Sequence, residues 1–295
     1  ELSYLSSELN SHGVLALPDW ETLPYDSFSP HQDIISDRLA TLFSLPRMQR
    51  GIVVTSVSSL MHLLPPRQYI DANSLDLTAG QKETLSDLRE QMVIAGYQHV
   101  TTVMEHGEFA VRGSIVDIFP MGTALPLRID LFDDEIDSIR RFDPETQRSA
   151  ATVERIHLLP GREFPLDEPG VMQFRKRFRE RFDVDTRQCP IYRDVSDGIA
   201  SPGLEYYLDV FFEKLDSLFD FLPDDTTICK AGKLRQAGEK FWADVCNRYE
   251  DRRFDIYRPI LSPEKVFIPV NEMFSRLKSY RQVEFKGHPQ AMNFA

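Results

Sequence analysis

Cysteine is scarce. The 295 residues contain three, Cys189, Cys229 and Cys246, spaced too widely for a C-x-x-C pair, so neither a disulfide framework nor a zinc site is expected. Such usage suits a reducing cytosol, and a cytoplasmic location is expected. Histidine offers no metal-ligand spacing either, because His99 and His106, the nearest pair, fall seven positions apart. No apolar run approaches the roughly 20 residues that span a bilayer. The opening ELSYLSSELN has neither the basic nor the apolar region of a signal peptide, so a soluble, unexported protein with no membrane partner is expected. Cations are in deficit: Lys plus Arg number 34 against 46 for Asp plus Glu, a net charge of -12. This balance argues against broad, sequence-independent adhesion to DNA, which relies on clustered cations neutralising phosphates.

Nucleotide-hydrolysing loops are missing as well. The pattern G-x-x-x-x-G-K-[ST], whose backbone amides cradle phosphates, does not occur. Gly232-Lys233 comes nearest, but Thr227 holds the first glycine's place and Leu234 replaces the hydroxyl, which leaves a surface lysine. There is no G-x-S-x-G elbow and no H-E-x-x-H helix. Ser114 follows Gly113 but reads as part of a strand and has no identifiable base.

What is present is alternation. Over residues 105–142, EHGEFAVRGSIVDIFPMGTALPLRIDLFDDEIDSIRRF, apolar and polar side chains change places every second residue. A strand over 109–119 would put Phe109, Val111, Ile115 and Phe119 on one face and Arg112, Val116 and Ile118 on the other. A strand over 125–132 would turn Leu125, Leu127, Ile129 and Leu131 inward and Arg128, Asp130 and Phe132 outward. Residues 121–124 supply a hairpin-length loop, and Asp133-Asp134-Glu135 a turn into a third strand over 136–142, giving an antiparallel meander. Its outer face carries Arg112, Arg128 and Phe132. Polar residues on a half-buried sheet can be idle surface; a large aromatic beside arginines is the composition of a binding hot spot. The acids at 130–135 resemble a strand-and-acid Mg2+ site, but with no phosphate loop to serve they read as a turn.

Three blocks and a tail are expected along the chain. Residues 1–70 alternate helix and strand: a helical pattern of Leu2, Leu5 and Leu9, strands at 14–17 and 51–55, a proline-rich loop over 18–30, and helices over 33–45 and 56–64. With no initiator Met, the chain reads as opening inside a domain. Residues 71–160 form a small α+β unit, with a helix over 81–95 closed by Gly96, the meander, and a strand over 153–159. Residues 161–285 open on linker composition at 161–169. A helix over 171–182 follows, with Phe174, Phe178 and Phe182 at four-residue spacing among Arg175, Lys176, Arg177, Arg179 and Arg181. That spacing marks an amphipathic helix with an aromatic core stripe and a solvated basic face more than a nucleic-acid site. Helices over 204–212 and 234–249 and strands from 227 to 285 complete the block. Residues 286–295 look unstructured.

Two stretches carry a family resemblance. PDWETLPYDSFSPHQDIISDRLATLFSL at 18–45 and GIVVTSVSSLMHLLPP at 51–66 resemble the first domain of the transcription-repair coupling factors, the Mfd family, and more distantly that of the excision-repair helicase UvrB. EHGEFAVRGSIVDIFPMG with LPLRIDLFDDEIDSIRRFD resembles a UvrB-type domain 2, and the likeness continues through FFEKLDSLFDFLP to about residue 285. The resemblance implies an N-terminal UvrB-homology module. Its fold would be α/β and α+β multidomain: a degenerate RecA or helicase-like α/β domain in two parts (1–70 and domain 1B, 161–285) flanking the small antiparallel-sheet domain 2.

Domain 2 would recruit UvrA, with Arg112, Arg128 and Phe132 in the recognition positions and Asp130 and Glu108 orienting the arginines. The resemblance further implies a non-enzymatic segment with no cofactor. ATP and Mg2+ would act only in a downstream motor, RNA polymerase and double-stranded DNA would bind other domains, and a C-terminal domain would mask the docking face at rest. Ser-Phe-Ser-Pro after Tyr25-Asp26 leaves no room for the long aromatic hairpin with which UvrB grips damaged DNA. The alternatives are an ATPase or helicase domain in its own right, or direct DNA binding through Arg175 to Arg181.

Overall fold

The computed structural model describes residues 13–285. The expected helix over Leu2, Leu5 and Leu9 and the tail at 286–295 lie outside the described residues.

The chain enters on strand β1 (Val14–Leu17), which pairs in parallel with β2 (Ile52–Thr55). Helix α1 (Gln32–Ser44) lies between them, with Ile35, Leu39 and Leu42 buried along one stripe. His31 caps its first turn by accepting from the Asp33 amide, and Asp33 sits where the helix dipole favours an acid. Pro46 then moves the chain into a short 3-10 turn. The next helix is shorter than expected, Val57–Met61. Leu63–Leu64 leaves it as a strand against Asp216–Ser217.

The chain then builds a separate sheet body. β3 (Leu75–Thr78) precedes α2 (Leu85–Ile94), which begins four residues later than its apolar pattern suggested. Lys82 forms an isolated antiparallel backbone bridge with Glu135, and Thr84 caps α2 by accepting from the Asp87 amide. Gly96 closes the helix at φ +86°, a conformation that costs glycine nothing.

β4 (Gln98–His99), β5 (Glu108–Arg112), β6 (Ile115–Ile118), β7 (Leu127–Phe132), β8 (Glu135–Phe142) and β9 (Ser149–Val153) form one six-stranded sheet in the order 9-8-7-6-5-4. All neighbours are antiparallel except β4 and β5. β10 (Arg155–Leu158) pairs with β3, so the single strand expected over 153–159 is two, broken at Glu154.

The strand expected over 109–119 is a hairpin. Gly113 takes φ +63° at the first of two loop positions, where a two-residue turn accepts glycine readily. Arg112 then pairs with Ile115, Val111 with Val116 and Phe109 with Ile118. Cross-strand partners share a face, so the turn reverses the parity of residues 115–119 relative to the expected single strand. Val116 and Ile118 join Phe109 and Val111 against α2, while Ile115 moves to the side of Arg112. Phe119 packs with Val103, Ala110 and Phe142 in a small cluster apart from the α2 side. Ser114 lies in the turn, where its carbonyl accepts from the Leu131 amide at 2.9 Å.

After β10 the chain returns to the first layer. Residues 161–169 are no free linker: Phe164 is in the core and Glu163 is buried against Arg38, Nε to Oε1 at 3.1 Å. Helix α3 (Glu168–Arg181) is capped by Asp167, which accepts from the Gly170 amide. Phe174 and Phe178 are fully buried, Arg175, Lys176 and Arg179 face water, and Arg177 is half-buried. The aromatic core stripe expected of this helix is present at Phe174 and Phe178, with Phe182 half-buried. The helix expected over 204–212 is a 3-10 turn, Leu204–Tyr207, running into a single α turn. β11 (Thr227–Ala231), α4 (Leu234–Arg252), α5 (Val270–Leu277) and β12 (Arg281–Phe285) finish the fold, with β11 and β12 parallel.

Buried apolar side chains gather mainly in two clusters. The larger draws on residues between Leu17 and Ile70 and between Leu159 and Leu277, with Met121 added from the sheet loop. The smaller runs from Leu77 to Leu158 and fills the space between the sheet and α2. No described helix is long and apolar enough to cross a membrane.

Candidate protein-docking face

The sheet face away from α2 is where charged chemistry collects. β5 contributes Arg112, β6 Asp117, β7 Arg128, Asp130 and Phe132, and β8 Ser138 and Arg140. Register brings them together: Asp117 stands opposite Arg128, Arg128 opposite Arg140, and Asp130 opposite Ser138.

Asp117 is the centre of the arrangement. It is buried, inside the otherwise apolar strand Ile115–Ile118. Arg128 grips it with two bonds, Nε to Oδ1 at 2.7 Å and Nη2 to Oδ2 at 2.9 Å. Arg112 donates from Nη2 to the same Oδ2. Burying a carboxylate is costly unless it is paired, and bidentate guanidinium contacts are among the strongest pairings available. The Asp117 bonds, together with its charge, raise the Arg128 pKa further above the usual guanidinium range against a partial desolvation. The Arg128 guanidinium also lies over the Phe142 ring, 4.8 Å from its centroid.

The consequence is two arginines fixed by one acid that a partner cannot reach. Arg112 keeps 48% of its side chain exposed and Arg128 17%, so one guanidinium is available to solvent and the other is largely a buttress. Beside them Arg140 donates to Asp130 at 2.8 Å and to Ser138. Each of these three guanidinium groups is thus paired with a carboxylate on the same face.

Phe132 ends β7 at the rim of the same face, 72% exposed. Its position follows from the hairpin. Asp133 takes φ +53° in the two-residue loop, Phe132 pairs with Glu135, and a register shift at Asp130/Leu131 keeps Leu131 inward opposite Ile136. The acids at 133–135 therefore shape a turn. Among the described residues no group of three or more His, Cys, Asp or Glu side chains is placed to hold a metal ion.

The structure gathers Arg112, Arg128 and Phe132 on one face, but the acids expected to orient the arginines do other work. Asp130 holds Arg140, and Glu108 caps a turn by accepting from the amides of Met104 and Glu105. Asp117 is the residue that sequence reasoning missed. An acid at the third position of Ile-Val-Asp-Ile, with arginines on both neighbouring strands, was the available signal. Of the two expected structural or solvent histidines, His99 is exposed with its ring 5.0 Å from that of Phe109, and His106 bonds Asp33 and the Thr123 carbonyl at 2.7 Å each.

Comparison with known proteins places this face inside a recognised unit. A family model described as the UvrB interaction domain matches residues 75–164, which includes α2 and the whole sheet. A transcription-repair-coupling factor from Haemophilus influenzae is 47% identical over 287 residues, covering 97% of this chain and 25% of the relative. The Escherichia coli relative of the same name is 46% identical over 281 residues, covering 95% of this chain and 24% of its own length. One from Myxococcus xanthus is 30% identical over 288 residues, covering 93% and 24%. The chain thus spans about a quarter of the length of the curated relatives it matches. By this similarity along nearly its whole length the chain belongs to the transcription-repair-coupling factor family, as a segment that carries a UvrB interaction domain.

Proposed function

We propose that this segment is a non-catalytic docking module that recruits UvrA, joining a transcription-coupled event to nucleotide excision repair. The observation that carries the reading is the buried Asp117, which fixes Arg112 and Arg128 beside an exposed phenylalanine within the matched interval. Arg112 presents its free guanidinium edge to an acid on UvrA. Phe132 supplies an apolar anchor that becomes desolvated on contact, the pattern of an interface hot spot. Arg128 holds its place between them through Asp117 and Phe142.

Catalysis is assigned elsewhere. These 295 residues contain no phosphate-cradling motif, so ATP and Mg2+ belong to other parts of the longer protein. RNA polymerase and double-stranded DNA are likewise assigned to those parts, as is a C-terminal element that covers the docking face at rest. The cytoplasm is the compartment proposed.

The test is a binding titration of UvrA against the folded chain, with Arg112→Ala, Arg128→Ala and Phe132→Ala compared with the parent. Each substitution should weaken binding by about 1 to 3 kcal/mol. Parent-level affinity in an Arg112→Ala, Phe132→Ala double variant with an intact fold would place the UvrA contact on another surface.

A further inference from the structure

Arg140 stands on the docking face but has no part in the UvrA contact proposed above. Asp117 pairs across strands with Arg128, and Arg128 with Arg140, so the three form one row across β6, β7 and β8. Arg112, Ile115, Asp130 and Ser138 form the neighbouring row, which starts one strand earlier on β5. Cross-strand partners point the same way, and both rows lie on the face away from α2.

Arg140 is held much as Arg112 is. Its Nη2 donates to Asp130 at 2.8 Å and to the Ser138 hydroxyl at 2.9 Å, while Nε donates to the same hydroxyl at 3.2 Å. Nη1 makes no hydrogen bond among the described residues, and 40% of the side chain is exposed. Two charged N–H donors are left for an acceptor outside the chain. An ion pair so close to solvent adds little to stability, and fixing a long side chain costs entropy. The same fixing lowers the entropy lost when a partner docks.

The two exposed arginines lean toward each other. Arg112 reaches from β5 onto Asp117 of β6, and Arg140 reaches from β8 onto Asp130 of β7. Three strand steps and two residues of rise put their own Cα atoms roughly 16 Å apart, whereas the acids they lean on, one step and two residues apart, are separated by only about 8 Å. A carboxylate that accepts at about 2.8 Å from each side spans a gap of that size. We propose that Arg140 is a second UvrA-contacting guanidinium, which closes with Arg112 on one acidic side chain of UvrA. This rests on the UvrA reading and adds to it the shape of the receptor for the acid.

The test is UvrA titrated against the folded chain carrying Arg140→Ala, Arg112→Ala or both. Arg141→Ala is the control, since Arg141 pairs with Leu127 on the other side of the sheet and is exposed. Arg140→Ala should weaken binding about tenfold, and Arg140→Lys, which keeps the charge without the planar fork, should restore part of the loss. The double variant should bind more tightly than the product of the single losses predicts, because two donors to one acid are coupled. The thermal midpoint of Arg140→Ala should stay near that of the parent, so that the loss reports the contact. Parent-level affinity in Arg140→Ala, an equal loss in Arg141→Ala, or single losses that simply multiply in the double variant would overturn the proposal. If Arg112→Ala and Phe132→Ala weaken binding and Arg140→Ala does not, the docking reading stands without Arg140. Parent-level affinity in all three overturns both.

Discussion

Replacing Asp117 by asparagine tests whether the docking face depends on a residue no partner can touch. The substitution is nearly isosteric but removes the charge that receives three guanidinium bonds, two from Arg128 and one from Arg112. Breaking a fully buried ion pair costs about 3 to 5 kcal/mol. Here Arg112 is half exposed and can turn to water, while Arg128 is more confined, so about 2 kcal/mol of stability is expected to be lost. For a sheet body unfolding as a small domain, that is a drop of roughly 8 to 16 °C in its midpoint, readable by calorimetry or circular dichroism. Binding to UvrA, measured well below that midpoint, should also fall about tenfold, because Arg112 must then be ordered on contact at the expense of side-chain entropy. Asp117→Ala, which removes the acceptor altogether, should be worse in both assays. If Asp117→Asn loses the expected stability yet binds UvrA as tightly as the parent, the carboxylate is structural only and the preorganisation argument fails.

Phe132→Ala should behave in the opposite way. The ring is 72% exposed, so stability should change by less than about 0.5 kcal/mol, whereas covering roughly 140 Å2 of aromatic surface is worth about 3 kcal/mol to a partner; calorimetry beside a UvrA titration separates the two. Burial gives Glu205 a folded pKa of about 7, raised above its unfolded value. Its protonated form therefore favours the fold fully below about pH 4.5, and that contribution is lost as pH rises through 7. The unfolding free energy of the parent from urea titrations should accordingly fall between pH 5 and 8, by at most about 3 kcal/mol, and Glu205→Gln should flatten that slope. Phe178→Ala should cost about 3 to 5 kcal/mol by leaving a cavity, while Lys176→Glu on the solvated side of the same helix should change the denaturation midpoint little.

Much of the docking face could be read from the sequence because β7 is a regular strand. Once Leu127, Ile129 and Leu131 are taken as core, Arg128, Asp130 and Phe132 have nowhere to point but outward. The hairpin at Gly113-Ser114 was missed because alternation continues on both sides of it, and a two-residue loop shifts parity without interrupting the pattern. Arg112 reached the right face all the same, since it precedes the turn. Asp117 was overlooked for a different reason: its role depends on partners across strands, and a strand read alone shows only an acid among apolar neighbours. The misread linker has a similar cause. Gly161, Pro165 and Pro169 have loop composition, but burial of that segment depends on Arg38, 125 positions from Glu163. Gly161 also passes so close to the Gly96 carbonyl that an added methyl would sit 2.9 Å from its oxygen, and only the folded chain reveals that approach.

The His106 contacts bear on how load passes through the molecule. His106 ties Asp33, at the start of α1, to the Thr123 carbonyl in the loop between β6 and β7. Nearby the Gly122 amide donates to Ser36 on the same helix at 2.8 Å. With the two chain crossings near residues 73 and 160, the sheet body is held at several separate points, more like a bracket bolted to a wall than a weight on a string. A partner that pulls on Phe132 would therefore pull on α1 as well. Such a joint resists swivel, so the angle at which a bound partner projects is set by the fold before the partner arrives.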